Sequence, residues 1–370
     1  MRIVIAPDKF AGTLSAVEAA EALAQGWHET DPDADIERVP LSDGGPGFVE
    51  VLHTALGGKR VSVTVTGPQG NPVDAEYLLV SDTATAYIES AQACGLHLVP
   101  ATQRNPEHAT SYGVGELISH AVSEGAETAV VGLGGSATND GGAGMLAALG
   151  AAPSDLLAHG GSPLAALTGP VNLAPARAAT AGVRLVAATD VDNPLVGDSG
   201  ASAVFGPQKG ADEEQVRRLE TALSTFADAV TVGGEFRNTP GAGAAGGLGY
   251  ALLLLDGSVE SGVQRVLEAV GLAERVASAD LVLTGEGSFD SQSLRGKLPH
   301  GVATTAAKRG TACAVVAGVV DVAPHEARAA GITSTYSLVE SAGSVEAALE
   351  QPAAELRTLA ATVARRHSTA

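Results

Sequence analysis

Short runs of aliphatic and β-branched residues alternate along this chain with Ala-rich stretches whose apolar positions recur three and four residues apart. That alternation predicts βαβ units and a mostly parallel sheet. "RIVIAP" reads as the first strand, "LSAVEAAEALAQGW" as the helix after it, "ADIERVP" as a second strand, and "SDGGPGFVEVLHTAL" as a loop opening a helix. Near the other end "ADLVLTGEG", "TACAVVAGVV" and "GITSTYSL" read as three more strands, with the helical pattern "LPHGVATTAAKRG" among them. Together these five strands predict one doubly wound sheet.

The middle of the chain has a different texture. "VSVTVTGPQGNPVDAEYLLV" alternates and is broken by Pro and Gly, which predicts an antiparallel hairpin, and "TAYIES" continues in that style. The helix "GVGELISHAVSEG", the strand "ETAVV" and the strand "VRLVAA" follow. The expected layout is therefore an α/β domain built from both chain ends, residues 1–58 and 277–370, with a mixed α/β domain inserted at 59–276.

Composition narrows the class. The 370 residues are ample for a buried core, and 45% hydrophobic with only 3% aromatic residues makes that core one of Ala, Val and Leu, suited to helices layered on a sheet. No apolar run approaches the ~20 residues of a membrane span and "MRIVIAP" lacks the form of a signal peptide, so a cytoplasmic protein with no membrane partner is expected. The two cysteines, Cys94 and Cys313, lack metal-ligand spacing and read as core residues. A net charge of −20, from 42 acidic and 22 basic residues, makes nucleic acid an improbable partner. Any anion must then be held locally, by backbone N–H groups, a metal ion or a few placed cations.

"GLGGSATNDGG", residues 132–142, has the form of such a local site: a glycine-rich turn between a strand and the apolar helix "AGMLAALG". Ser136, Thr138 and Asn139 add short hydrogen-bonding side chains, and Asp140 a carboxylate that could approach a metal. The plain alternative is a tight turn at a close helix–strand crossing. Gly132, Gly134 and Ala137 also satisfy the dinucleotide fingerprint, but no acid-terminated strand follows about 20 residues on. "GAGAAG" at Gly241–Gly246 fits it too without a preceding strand, and reads as a flexible turn. No P-loop sequence occurs, since Lys297 in "LRGKLP" is followed by leucine.

Four other strand ends carry acids beside small residues: Asp8 and Lys9 in "APDKF"; Ser42, Asp43, Gly44 and Gly45 in "LSDGG"; Asp190, Asp192 and Asn193 in "AATDVDNPL"; and Glu286, Asp290, Gln292, Arg295 and Lys297 in "TGEGSFDSQSLRGK". Singly, each is a capping or loop residue about as often as not. Together with the glycine loop they supply the parts of phosphoryl transfer: a phosphate cradle, carboxylates for Mg²⁺, a cation, and a carboxylate to take a hydroxyl proton.

These blocks, with "FGPQKGA" and "AAGGLGYAL", resemble in sequence and order the bacterial glycerate 2-kinase family of glycerate kinases. The resemblance implies ATP- and Mg²⁺-dependent phosphorylation of D-glycerate, in glyoxylate, glycolate or glucarate breakdown, with 2-phosphoglycerate favoured over 3-phosphoglycerate as product. It implies a flavodoxin-like domain from both chain ends, an inserted α/β domain, and an active site in the cleft between them. Carried over, Gly134, Gly135, Ser136, Thr138 and Asn139 bind nucleotide phosphates, with Glu286, Asp290 and Gln292 also on the nucleotide side. Ser42, Asp43, Gly44, Gly45 and Lys297 bind glycerate, whose carboxylate Lys9 faces as a catalytic cation. Asp190 and Asp192 serve proton abstraction and metal binding. Many members read "APDSFKGS" where this chain has Lys9 and Ala11. The competing readings are a kinase of the galactokinase and mevalonate kinase type and a non-catalytic sensor of small acids. A monomer or homodimer is expected.

Overall fold

The structure, a computed structural model, describes residues 1–10, 12–230, 235–294 and 296–367. Ala11 and Arg295, both weighed above, lie outside the described residues. Contacts divide the chain into two units: Met1–Asp43, Glu50–Leu56 and Val263–Ala370 form one, and Gly44–Val49 and Gly57–Gly262 form the other. Gly44 and Gly45 therefore group with the second unit, while Ser42 and Asp43 group with the first.

The first unit is a five-stranded sheet. β1 (Arg2–Pro7) lies between β2 (Asp35–Arg38) and a strand from the far end of the chain, β9 (Leu281–Phe289), which is followed outward by β10 (Ala312–Val320) and β11 (Ser334–Ser337). Every pairing is parallel, with Ile3 opposite Ile36 on one side and Leu281 on the other. Counted within the unit this is the order 2-1-3-4-5 of flavodoxin-like sheets, whose strand order reverses between β1 and β9. The helix Ala16–His28 begins in a capping box, Ser15 accepting from the Glu18 N–H and the Glu18 carboxylate accepting from the Ser15 N–H. Its buried face of Ala19, Ala20, Leu23 and Trp27 shares a core with Leu356, Leu359 and Val363 of the helix Pro352–His367.

The second unit carries a mixed six-stranded sheet: β3 (Lys59–Thr66), β4 (Pro72–Val80), β5 (Thr85–Glu89), β6 (Thr128–Gly132), β7 (Arg184–Ala188) and β8 (Ser258–Glu260), paired in that order. β3 and β4 form the expected hairpin, with Thr66 opposite Pro72, and β4 pairs antiparallel with β5. From β5 to β8 the pairing is parallel. β8 is absent from the pattern reading because its three residues are too few to show a period. Cys94 and Cys313 are both fully buried and unbridged. Among the described residues no helix is long and apolar enough to cross a membrane.

Candidate functional site

In the second unit the glycine loop leaves β6 and enters the helix Ala143–Ala148. A Cβ on Gly132 would stand 2.4 Å from the Gly44 carbonyl oxygen, and one on Gly134 would stand 2.4 Å from the Gly45 Cα. The glycines of "SDGG" are thus packed against this loop, and small residues on both sides permit the approach. Gly44 itself has φ +92°, with room for a Cβ only 3.0 Å from the Ala188 oxygen at the end of β7.

The helix end is already capped from inside the protein. Asp140 Oδ2 accepts from the Ser111 N–H at 2.9 Å, the Ser111 hydroxyl at 2.8 Å and the Gly144 N–H at 3.3 Å, while its Oδ1 accepts from the Gly142 N–H at 3.0 Å. The Met145 N–H goes to Ser111 Oγ at 3.0 Å. Burial pushes the Asp140 carboxyl above the usual range, against the pull of these donors. Its oxygens are committed to backbone and hydroxyl donors, so its role in the structure is a cap rather than the metal approach expected for it. The helix dipole is answered by this cap, and any anion must be met further upstream.

Upstream, the loop does have backbone donors to offer. Among the described residues the N–H groups of Gly134, Gly135, Thr138 and Asn139 meet no protein acceptor, whereas those of Leu133 and Ala137 bond to the Ala188 and Cys94 oxygens. The Asn139 amide is held by its nitrogen on Ser202 Oγ at 2.8 Å, and its Oδ1 is buried without a partner. Lys209, from "FGPQKGA", is only 3% exposed and donates from Nζ to Ser136 Oγ at 3.0 Å and the Thr138 oxygen at 2.6 Å. Burial lowers its pKa to about 8. The sequence pattern alone did not single out this lysine, although a lysine between glycines in a chain of net charge −20 was a signal that could have found it.

The "GAGAAG" stretch is a packed element, not a loose one. Ala245, Gly246 and Gly247 all have left-handed backbone, and the Gly246 oxygen accepts from the Gly141 N–H at 2.9 Å. It thereby backs the glycine loop from behind.

Asp190 and Asp192 lie just past β7, both exposed. Asp190 Oδ1 accepts from the Ser261 hydroxyl at 2.5 Å, a charge-assisted bond that orients the carboxylate. Asn193 spends its amide on the Ser199 oxygen at 2.7 Å. No group of three or more metal-ligating acids, cysteines or histidines occurs among the described residues.

In the first unit, Asp8 and Lys9 follow β1 and Glu286 lies on β9, so they flank the place where the strand order reverses, beyond which open α/β sheets hold ligands. Lys9 Nζ lies 3.3 Å from Asp43 Oδ1 and 3.8 Å from Asp8 Oδ1. Burial raises the Asp8 pKa to about 7, with Lys9 opposing and Asp43 and Glu286 reinforcing. Glu286 is likewise raised by burial, and its Oε1 is buried without a hydrogen-bond partner. Ser42 is buried. A buried carboxyl with a raised pKa beside a lysine marks Asp8 as a candidate for acid–base chemistry, and only tertiary burial reveals it.

The "SFDSQS" residues divide. Asp290 Oδ1 accepts from the Gln292 N–H at 2.8 Å and the Ser293 N–H at 3.2 Å, the turn-capping alternative, and stands 4.0 Å from Lys297 Nζ. Gln292 has an exposed side chain.

Comparison with known proteins places the chain as a whole. Residues 3–368 match the model of the glycerate kinase family. A glycerate kinase of Bacillus subtilis (strain 168) is 44% identical over 98% of this chain and 97% of its own length. A glycerate 2-kinase of Escherichia coli (strain K12) is 42% identical over 94% of this chain and 93% of its own. A solved structure from Salmonella typhimurium LT2, described as a glycerate kinase 2, aligns with TM-score 0.82 at 41% identity over all of this chain and 98% of that one.

Proposed function

The chain belongs to the glycerate kinase family, a family of phosphotransferases, and from that premise we propose that it transfers the γ-phosphoryl group of ATP to D-glycerate, at the 2-hydroxyl in preference to the 3-hydroxyl. The observation that carries this reading is the glycine loop, where Gly134, Gly135, Thr138 and Asn139 keep unpaired N–H groups next to a buried lysine in a strongly acidic chain. Such donors suit a phosphate chain.

The substrate acid suits the first unit. Lys9 and Lys297 supply cations for the carboxylate of a small acid, Ser42 and Asp43 hydrogen-bonding groups for its hydroxyls, and the buried Asp8 and Glu286 lie in electrostatic reach of one another. Gly44 and Gly45 act by letting the glycine loop approach closely. Asp190, oriented by Ser261, is assigned to accept the hydroxyl proton, with Asp192 beside it on the metal side. Mg²⁺, when bound with the nucleotide, neutralises the charge that builds on the transferred group. Asp290 and Gln292 shape the turn beside Glu286. We place the enzyme in the cytoplasm, as a monomer or homodimer.

A coupled assay of ADP release with D-glycerate tests the activity. Turnover supports the kinase; binding of glycerate and ATP without ADP release overturns it in favour of a sensor. Phosphorus NMR of the product decides the position, and a 3-phosphoglycerate signal alone overturns the 2-hydroxyl assignment.

A further inference from the structure

Lys209 presents an energetic problem that the fold alone does not solve. A buried ammonium is costly unless paired, yet among the described residues no carboxylate lies in ion-pair contact with it. Asp140 attracts it, but Asp140 is already held by four donors. Two of the three ammonium hydrogens go to Ser136 Oγ and the Thr138 oxygen, which leaves one undirected.

That lysine lines a cavity of about 300 Å³ within the second unit. Arg104 lines it too, and its Nε is buried without a partner. Gly210 holds the two together: it has φ +97°, and a Cβ there would stand 2.8 Å from the Arg104 oxygen, so only glycine lets this segment lie so close. His108 adds an imidazole to the lining. The nearby acid Glu107 is spent elsewhere, on Arg218 Nε at 2.8 Å and Nη2 at 3.1 Å. The opposite character comes from Val99, Ala109 and Ala137, which form a small apolar cluster of their own, separate from the main core of the unit.

A cavity lined by a lysine with one undirected hydrogen, an arginine whose Nε has no partner, and an apolar wall fits a ligand that is polyanionic at one end and apolar at the other. We propose that this cavity is the nucleotide site, with Lys209 and Arg104 binding phosphate oxygens and the Val99, Ala109 and Ala137 surface receiving the base. The inference rests on the reading of ATP as donor. It adds to that reading a binding cavity, the direct phosphate contact of Lys209 and a further phosphate-binding residue, Arg104.

Calorimetric titration of the wild type, Lys209→Met, Arg104→Met and Ala137→Leu with ATP, ADP, AMP and adenosine tests it, with inorganic tripolyphosphate as a base-free probe. Lys209→Met should weaken ATP roughly 10- to 100-fold, the span expected for a charge-assisted contact, with a smaller loss for AMP and none for adenosine. Arg104→Met should show the same grading, and Ala137→Leu should weaken adenosine as well. An equal loss for ATP and adenosine in Lys209→Met would make the lysine a mere strut of the loop and overturn the proposal, as would wild-type affinities throughout. If Lys209→Met does not fold, the decision passes to the other two variants, and unchanged ATP binding in both overturns the site. Wild-type binding of ATP and tripolyphosphate without transfer to D-glycerate refutes the kinase reading but leaves this cavity standing. Turnover with variants that bind ATP like the wild type does the reverse.

Discussion

A Cβ built on Gly246 would stand 1.9 Å from the carbonyl oxygen of Thr138. The turn at Ala245–Gly247 and the glycine loop are therefore in backbone contact, and Gly246 also has the left-handed φ of +71° that a side chain disfavours. Gly246→Ala should push the two segments apart. We expect a destabilisation of roughly 1–3 kcal/mol, read as a lower melting temperature, and an ATP affinity that falls further than the stability loss explains. A variant with wild-type melting and ATP binding would show that the loop tolerates displacement. Gly135 is the less informative position, because its φ of +71° and a Pro46 Cγ 2.9 Å from any added Cβ would strain even an innocent loop.

Asp140 is predicted to be structural. Its four donors lose their charged acceptor in Asp140→Asn, and the introduced NH₂ faces N–H groups. The melting temperature should drop by several degrees, in line with about 1–3 kcal/mol for a broken buried network, and the drop should be the same with and without Mg²⁺. A stability loss seen only in the presence of Mg²⁺ would restore a metal role.

Asp8 should leave a mark on the pH dependence of stability. Its folded pKa, raised by burial to about 7, lies above that of the unfolded chain, so the native state holds a proton that the unfolded state has released. The favourable contribution is complete below about pH 4 and is lost as the pH rises towards about 7. Asp8→Asn stays neutral throughout. Its melting temperature should therefore match the wild type near about pH 4 and exceed it near about pH 8, and parallel pH profiles would contradict the burial argument.

Asp190 and Lys9 should separate by kinetic signature. Asp190→Asn keeps the shape and the acceptor for Ser261 but removes the base, so kcat should fall by roughly 10²-fold or more with little change in melting temperature. Lys9→Ala should instead raise KM for D-glycerate far more than KM for ATP. Near-wild-type turnover by Asp190→Asn would move the base elsewhere, with Asp8 and Asp43 the next carboxylates to test.

Periodicity and local chemistry alone were enough for most of the strands and for the first helices, though not for the long helices Glu213–Ala229 and Pro352–His367. The strands of both sheets except β8, the β3/β4 hairpin, the helix begun by Ser15 and the gathering of acids at strand ends all follow from short-range patterns that the chain displays residue by residue. What a carboxylate or lysine does there depends on groups distant in sequence, and that only the tertiary structure decided. Asp140 became a cap because Ser111, 29 residues away, points into it, while Asp8 became a near-neutral acid because β9 returns from the other end of the chain to bury it. Asp290 kept its local turn. Lys209 met Thr138 across 71 residues, a separation at which no periodicity survives, so its pairing with the glycine loop is written in the packing and not in the pattern.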